Sequence, residues 1–270
     1  MSARPRPVLQ AHGLALRYAQ APADVFQDVD LVLDRGEVVA VLGASGAGKS
    51  SLLRVLAGLQ PASAGTLLME GEPLAGVHPR VAVAFQDPGL LPWLSLERNV
   101  AFGLDFTHQP RLSAAERRLR IDQAIDEVGL SHARQLRPAQ LSGGMAQRTA
   151  LARCLARQPA VLLLDEPFGA LDEVTRGDMQ TLLRKVVADF HTAAVLITHD
   201  IDEALLLADR IVLLGGAPGR ILGVWPVDLP QPRADLLPEM GALRLEILTR
   251  LRDALRVARG QAAKESIDVP

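Results

Sequence analysis

At 270 residues the chain is long enough for one large domain, or for a domain carrying an added lobe. Its 49% hydrophobic and 22% charged residues are the balance of an ordinary globular protein, and a net charge of −2 gives no electrostatic reason to expect a nucleic-acid partner. The single cysteine, Cys154, excludes an internal disulfide and a cysteine-built zinc cluster. Apolar runs such as 160–164 and 204–208 fall far short of the roughly 18 residues a membrane span needs. The arginine-bearing first ten residues lead into no apolar stretch of leader length, so no secretion is expected. Work at a membrane would therefore require a partner.

Residues 8–35 alternate apolar and polar positions in two runs, which predicts half-buried antiparallel strands. A turn at Arg35, Gly36 and Glu37 precedes the continuous apolar run VVAVL at 38–42, the pattern of a strand covered on both faces. A glycine-rich loop follows, and then a helix from Lys49 to about Leu59 with Leu52, Leu53, Leu56 and Leu59 on its inner side. Short strands and turns continue to Phe85. From there to residue 157 the texture is helical, with Ser113 and Glu116 spaced as a capping box. Strand texture returns at 161–164 and 194–198 around a helical stretch. A turn at 215–219 leads to two short strand-like pieces and the segment DLPQPR. The tail, about 238–258, places Leu243, Ile247, Leu251 and Leu255 four residues apart, which predicts an amphipathic helix with an arginine-rich outer face.

The loop Gly43, Ala44, Ser45, Gly46, Ala47, Gly48, Lys49, Ser50 matches G-x-x-x-x-G-K-[ST] in full, directly after a buried strand and before a helix. The glycines let backbone N–H groups converge on an anion, and the helix N-terminus adds partial positive charge. Lys49 suits a bridge between β- and γ-phosphates, and the Ser50 hydroxyl suits Mg²⁺. The run VLLLDE at 161–166 is an apolar strand ending in two carboxylates, of which Asp165 can serve the metal. Alternation along a strand points the neighbouring Glu166 elsewhere, where it can act as general base on an attacking water. His199 ends a further strand, a position that faces the ligand crevice of a parallel α/β sheet.

The run Leu141, Ser142, Gly143, Gly144, Met145 opens another helix and offers a second small anion-binding tip. Here the sequence resembles the ATP-binding cassette (ABC) ATPases, whose signature reads LSGGQ; Met145 departs at its last position. The resemblance covers nearly the whole chain with the motifs in order. It implies an α/β fold: a P-loop NTPase (RecA-like) core with an N-terminal antiparallel β subdomain and an inserted α-helical subdomain. The expected division is a core of residues 1–86 and 158–215, a helical subdomain of 87–157 and a C-terminal part of 216–270. Tyr18 resembles the aromatic that stacks on adenine. Residues 43–51, closing with Ser51, resemble the phosphate loop. Gln86 resembles the glutamine that contacts Mg²⁺ and the attacking water, Asp172 lies in what resembles the loop crossing the dimer interface, and His199 matches the histidine that contacts the γ-phosphate. The implied cofactors are ATP and Mg²⁺.

In this family the signature of one subunit completes the nucleotide site of another, so the resemblance implies a homodimer. The residues QDPGLLPW at 86–93, then Glu97 and Asn99, and DLPQPR at 228–233 resemble the importer branch for nitrate, sulfonates and taurine. That branch implies a separate membrane permease, a periplasmic or extracellular solute-binding protein, no nucleic acid, and a peripheral position on the cytoplasmic face of the bacterial inner membrane. Sulfonate or taurine is the first expectation for the solute, nitrate the next, and a pyrimidine precursor of thiamine a third. A soluble or exporter-type cassette ATPase is the alternative.

Overall fold

A computed structural model describes residues 7–236 and 238–265; the arginines of the first six residues lie outside that range. The chain divides into two compact units. One combines the described parts of Met1–Gly76 and Val195–Pro270, and the other is Val77–Ala194.

In the first unit, strands β1 (Leu9–Leu16) and β2 (Phe26–Leu33) pair antiparallel, with Leu9 opposite Leu33 and Ala11 opposite Leu31. On the other side of β1 lies β4 (Ala64–Met69), extended by the two-residue β5 (Glu72–Pro73), giving the order β2-β1-β4-β5. Alternating burial along β1 and β2 agrees with the alternation in their sequence. The VVAVL run forms β3 (Val38–Leu42), buried at every residue, as a strand covered on both faces must be. It runs parallel to β9 (Arg210–Gly215), which pairs antiparallel with β10 (Arg220–Pro226). The two strand-like pieces expected after residue 219 are thus one strand, its register shifted between Ile221 and Gly223.

Helix α1 (Lys49–Leu56) buries Leu52, Leu53 and Leu56. It stops short of Leu59, which is 50% exposed instead of facing inward, because the chain turns through left-handed Gly58. Helix α6 (Ile201–Leu207) is capped by Asp200. The tail forms α7 (Gly241–Glu265), whose Ile247 is fully buried while Arg244, Arg250, Arg252 and Arg256 are exposed. The segment DLPQPR has a structural role here. Arg233 is buried and its guanidinium donates to the carbonyls of Leu205, Val227, Ala208 and Leu229, tying down the chain around the end of α6.

The second unit contains the parallel pair β6 (Val81–Ala84) and β7 (Val161–Asp165), in register from Val81 opposite Val161 to Ala84 opposite Leu164. Its helices are α2 (Leu96–Ala101), α3 (Ala114–Glu127), α4 (Gly143–Leu155) and α5 (Glu173–Phe190). The expected capping box at Ser113 and Glu116 forms at the start of α3. Strand β8 (Ala193–Ile197) begins in this unit, where Ala193 N–H donates to Ala160 O. It ends in the first, where Thr198 N–H donates to Val41 O. Among the described residues, no helix is long and apolar enough to cross a membrane.

Candidate nucleotide site

The phosphate loop belongs to the first unit and is shaped by its own backbone. Gly46 and Gly48 have φ of +83° and +92°, a region costly to a residue with a β-carbon. At Gly43 a β-carbon would come 2.3 Å from the carbonyl oxygen of Leu214, so only glycine fits beside β9. Gly48 caps α1 without any side chain, and the first turn of α1 carries no acidic residue. No capping side chain and no first-turn acid therefore competes with an anion for this helix entry. The Lys49 side chain is buried and its ammonium donates to the carbonyls of Gly43 (2.8 Å) and Ala44 (3.1 Å). A cation is thus stored on the loop itself, in a place where phosphate oxygens could replace carbonyls.

Ser50 and Ser51 follow on the first turn of α1, and the phenol of Tyr18 lies 3.2 Å from Ser51 Oγ. Tyr18 is partly exposed, in the loop after β1, so an aromatic face stands at the edge of the phosphate loop. His199 comes directly after Thr198, whose bond to Val41 sets the end of β8 beside the end of β3, one residue before the loop begins at Gly43.

In the second unit Asp165 is the last residue of β7. Glu166 lies beyond the strand with φ of +46°, so strand alternation does not set its direction; a left-handed backbone does. That conformation is unusual for a glutamate and is the sort of local strain found at functional positions. The turn from Glu166 is closed by Gly169 N–H donating to Glu166 O and is anchored by buried Phe168. Gln86 follows β6 by two residues, and its carbonyl accepts from Gln147 Nε2 at 2.7 Å. A β-carbon built at Gly169 would lie 3.7 Å from Gln86 Nε2 and 3.9 Å from Glu166 Oε2, so the two side chains converge over that glycine.

The signature residues open α4. Ser142 caps it by accepting from Met145 N–H at 3.2 Å, and its first turn has no acidic residue. Helices α2, α3, α5 and α6 carry an acid there, as helix dipoles favour, whereas α7, like α1 and α4, does not. The two glycines were expected to be alike and are not. Gly144 is pressed against Thr175, whereas a β-carbon at Gly143 would meet nothing within 4 Å. Asp172 caps α5, accepting from the backbone N–H and hydroxyl of Thr175; these bonds hold its carboxyl below the usual carboxylate range.

The LLPW segment is a held loop. The fully buried Asn99 accepts from Leu91 N–H and directs its amide at the carbonyls of Leu91, Leu94 and Ser95. Arg153 donates to the carbonyls of Pro88 and Gly89. Trp93 is left 67% exposed. Cys154 is buried and desolvation raises its thiol to about 11, so it is not a nucleophile.

A family model described as ABC transporter matches residues 26–169, more than half of the chain. The chain belongs to the ABC transporter family. Its ATPase character follows from that membership and from the relatives that share most of its length. It is 46% identical over 83% of its residues to the aliphatic sulfonates import ATP-binding protein SsuB 1 of Xanthomonas axonopodis pv. citri, covering 88% of that protein. It is 40% identical to the nitrate transport protein NasD of Klebsiella oxytoca over 84% of this chain and 88% of that one. The bicarbonate transport ATP-binding protein CmpC of Synechocystis sp. is 44% identical over 87% of this chain, which spans only 36% of that longer protein. Among solved structures, the dimeric post-hydrolysis state of the ATP-binding cassette MJ0796 bound to ADP and Pi superposes with a TM-score of 0.70, at 28% identity, over 82% of this chain and all of that one. The cassette cbiO1 from Clostridium perfringens gives 0.76 at 26% identity over 95% of this chain and 99% of that one. Several residues that support the motifs of this ABC ATPase were not singled out from the sequence. Gln147, Arg153, Gly169 and Thr175 act through backbone contacts or close approach, which leave no pattern in a single sequence.

Proposed function

We propose that the chain is the ATP-binding and ATP-hydrolysing subunit of an ABC importer, working as a homodimer that holds two nucleotides between phosphate loops and signature tips. The observation that carries this reading is the pair of glycine-bearing helix entries: α1 opens from the left-handed Gly48 with the Lys49 ammonium seated on the loop carbonyls, and α4 opens at a Ser142 cap with open space around Gly143. The domain division proposed is a core of 1–86 and 158–215, an inserted helical part of 87–157 and a C-terminal part of 216–270.

In the mechanism proposed, residues 43–51 bind the phosphates through backbone N–H groups, and Lys49 exchanges its carbonyl partners for phosphate oxygens. Tyr18 stacks on the base. Ser50 and Asp165, with Gln86, would hold Mg²⁺, their oxygens being of the kind this ion takes, and the ion would neutralise charge on the phosphates. Glu166 accepts the proton of the attacking water, which Gln86 helps to orient, and His199 donates to the terminal phosphate. Ser142, Gly143 and Gly144 of one subunit grip the nucleotide held by the other, with Asp172 beside the interface. ATP then favours the closed dimer, and hydrolysis removes that bias.

Trp93 and the neighbouring cavity of about 660 Å³, lined in part by Arg98, Phe102, Phe106 and Arg117, are the surface proposed for the permease. The subunit would sit on the cytoplasmic face of the membrane, supplied by a solute-binding protein. The names of the relatives favour a small anionic cargo, an aliphatic sulfonate first, then nitrate or bicarbonate. The test is to purify the chain with its membranes, identify the co-purifying permease, and follow uptake of labelled ethanesulfonate, nitrate and bicarbonate by the reconstituted complex. ATP-dependent uptake of one of them supports the reading; ATP hydrolysis at full rate by a monomer, indifferent to permease and concentration, overturns it.

A further inference from the structure

Thr175 makes three contacts that converge on two motifs. Its hydroxyl donates to Asp172 Oδ2 at 2.7 Å, and its backbone N–H donates to Asp172 Oδ1 at 3.0 Å. Its γ-methyl lies against the signature: a β-carbon at Gly144 would come 2.4 Å from Thr175 Cγ2. Hydroxyl and methyl share one torsion, and in a helix that torsion has few allowed settings. Turning the side chain to release Gly144 would break the bond to Asp172, and the reverse also holds. One turn further along, Arg148 of α4 and Asp178 of α5 are 3.4 Å apart, a second tie between the same two helices. The link also reaches back to Glu166. The turn between Glu166 and Asp172 is closed by the bonds Gly169 N–H to Glu166 O and Leu171 N–H to Phe168 O, so this stretch has little freedom of its own.

We propose that Thr175 is a positioning residue that locks the Asp172 segment to the signature tip, so that a displacement of Glu166 or Asp172 carries Gly144 with it. The inference rests on the functional reading above and adds to it a route, within one subunit, between the hydrolytic carboxylate and the tip that grips the other subunit's nucleotide. A threonine that merely stabilised α5 would have a different signature. The cap bond runs to the backbone N–H and survives substitution of the side chain, so stability should change little in any variant.

The experiment compares Thr175→Ser, Thr175→Val and Thr175→Ala in the full chain, measuring kcat, KM for MgATP and the thermal midpoint. Serine keeps the hydroxyl and loses the methyl; valine keeps the branched shape and loses the hydroxyl. The two contacts act in series, so breaking either should suffice. All three variants should lose about tenfold or more in kcat, a loss of the kind small misplacements produce, with KM and midpoint close to the parent. Parent-like kcat in Thr175→Ser or Thr175→Val, or a kcat that falls only in step with the midpoint, overturns the proposal. Glu166→Gln in parallel separates the two levels. Loss of turnover there with active Thr175 variants removes this link and leaves the functional reading standing, while full turnover in Glu166→Gln removes the general base and, with it, the route assigned to Thr175.

Discussion

The phosphate loop and the signature tip are both glycine-rich entries to helices, yet the chain uses glycine differently in each. In the loop every demand comes from the protein's own backbone: positive φ at Gly46 and Gly48, and the carbonyl of Leu214 against Gly43. Lys49 is already seated on loop carbonyls. The loop is preorganised, and folding alone accounts for its three glycines. At the signature tip folding accounts for Gly144, through Thr175, and leaves Gly143 with open space around it. Gly177 and Gly241 are equally open, so it is the place of Gly143 in the Ser-Gly-Gly tip that singles it out, where a missing side chain leaves room for a close approach. The glycines of one region are explained within the chain, and one glycine of the other is not.

The widest difference between the two should appear when the hydrolytic group is removed while the loop is kept. Glu166→Gln is expected to lower ATP turnover by about a hundredfold or more, the range for loss of a general base, while nucleotide affinity measured by equilibrium titration stays near the parent value. Equal losses in binding and turnover would mean that grip and chemistry are not divided between regions. Next in size is Lys49→Ala. Charge-assisted hydrogen bonds contribute about 1.5–3 kcal/mol each, so affinity for ATP should fall by at least about tenfold. An unchanged dissociation constant would show that the ammonium never leaves the carbonyls of Gly43 and Ala44.

A finer test sets the two signature glycines against each other. Gly144→Ala must displace Thr175 and should lower the thermal midpoint, at a cost of about 1–3 kcal/mol for an overpacked site. Gly143→Ala has room and should leave stability within about 1 kcal/mol of the parent, yet reduce turnover wherever the dimer forms. Should Gly143→Ala hydrolyse ATP normally, the tip does not approach a nucleotide and the contrast loses its functional meaning.

What could be read from the sequence follows the range of the forces involved. Local patterns served well: the alternation of β1 and β2, the buried run of β3, and the helix that starts at Lys49 are all written in adjacent residues. Errors arose where a local rule met a special backbone. Leu59 continues the helical spacing, but Gly58 turns the chain away. Strand alternation predicts one direction for Glu166, and a left-handed φ sets another. The supports of the site could not be read at all, because each spans distant segments: Gln147 to Gln86, Arg153 to Pro88, Thr175 to Gly144. DLPQPR carried a resemblance, but only the structure gives its physical reason, the four carbonyls that Arg233 gathers.

The smallest effect concerns a helix start that nothing needs to approach. Helix α3 has what α1 lacks: Ser113 accepts from Glu116 N–H, and Glu116 accepts from Ser113 N–H, a reciprocal side-chain cap where α1 has no side-chain cap at all. Ser113→Ala should therefore cost about 1 kcal/mol of stability, seen as a shift in the denaturation midpoint, with turnover unchanged. The same capping bonds hold the Glu116 carboxyl below its usual value. A depressed carboxylate contributes stability above its unfolded pKa and loses it as pH falls through the folded one, so the difference between parent and variant should narrow under acid conditions. If Ser113→Ala instead lowered ATP turnover without moving the midpoint, the capped start of α3 would take part in function.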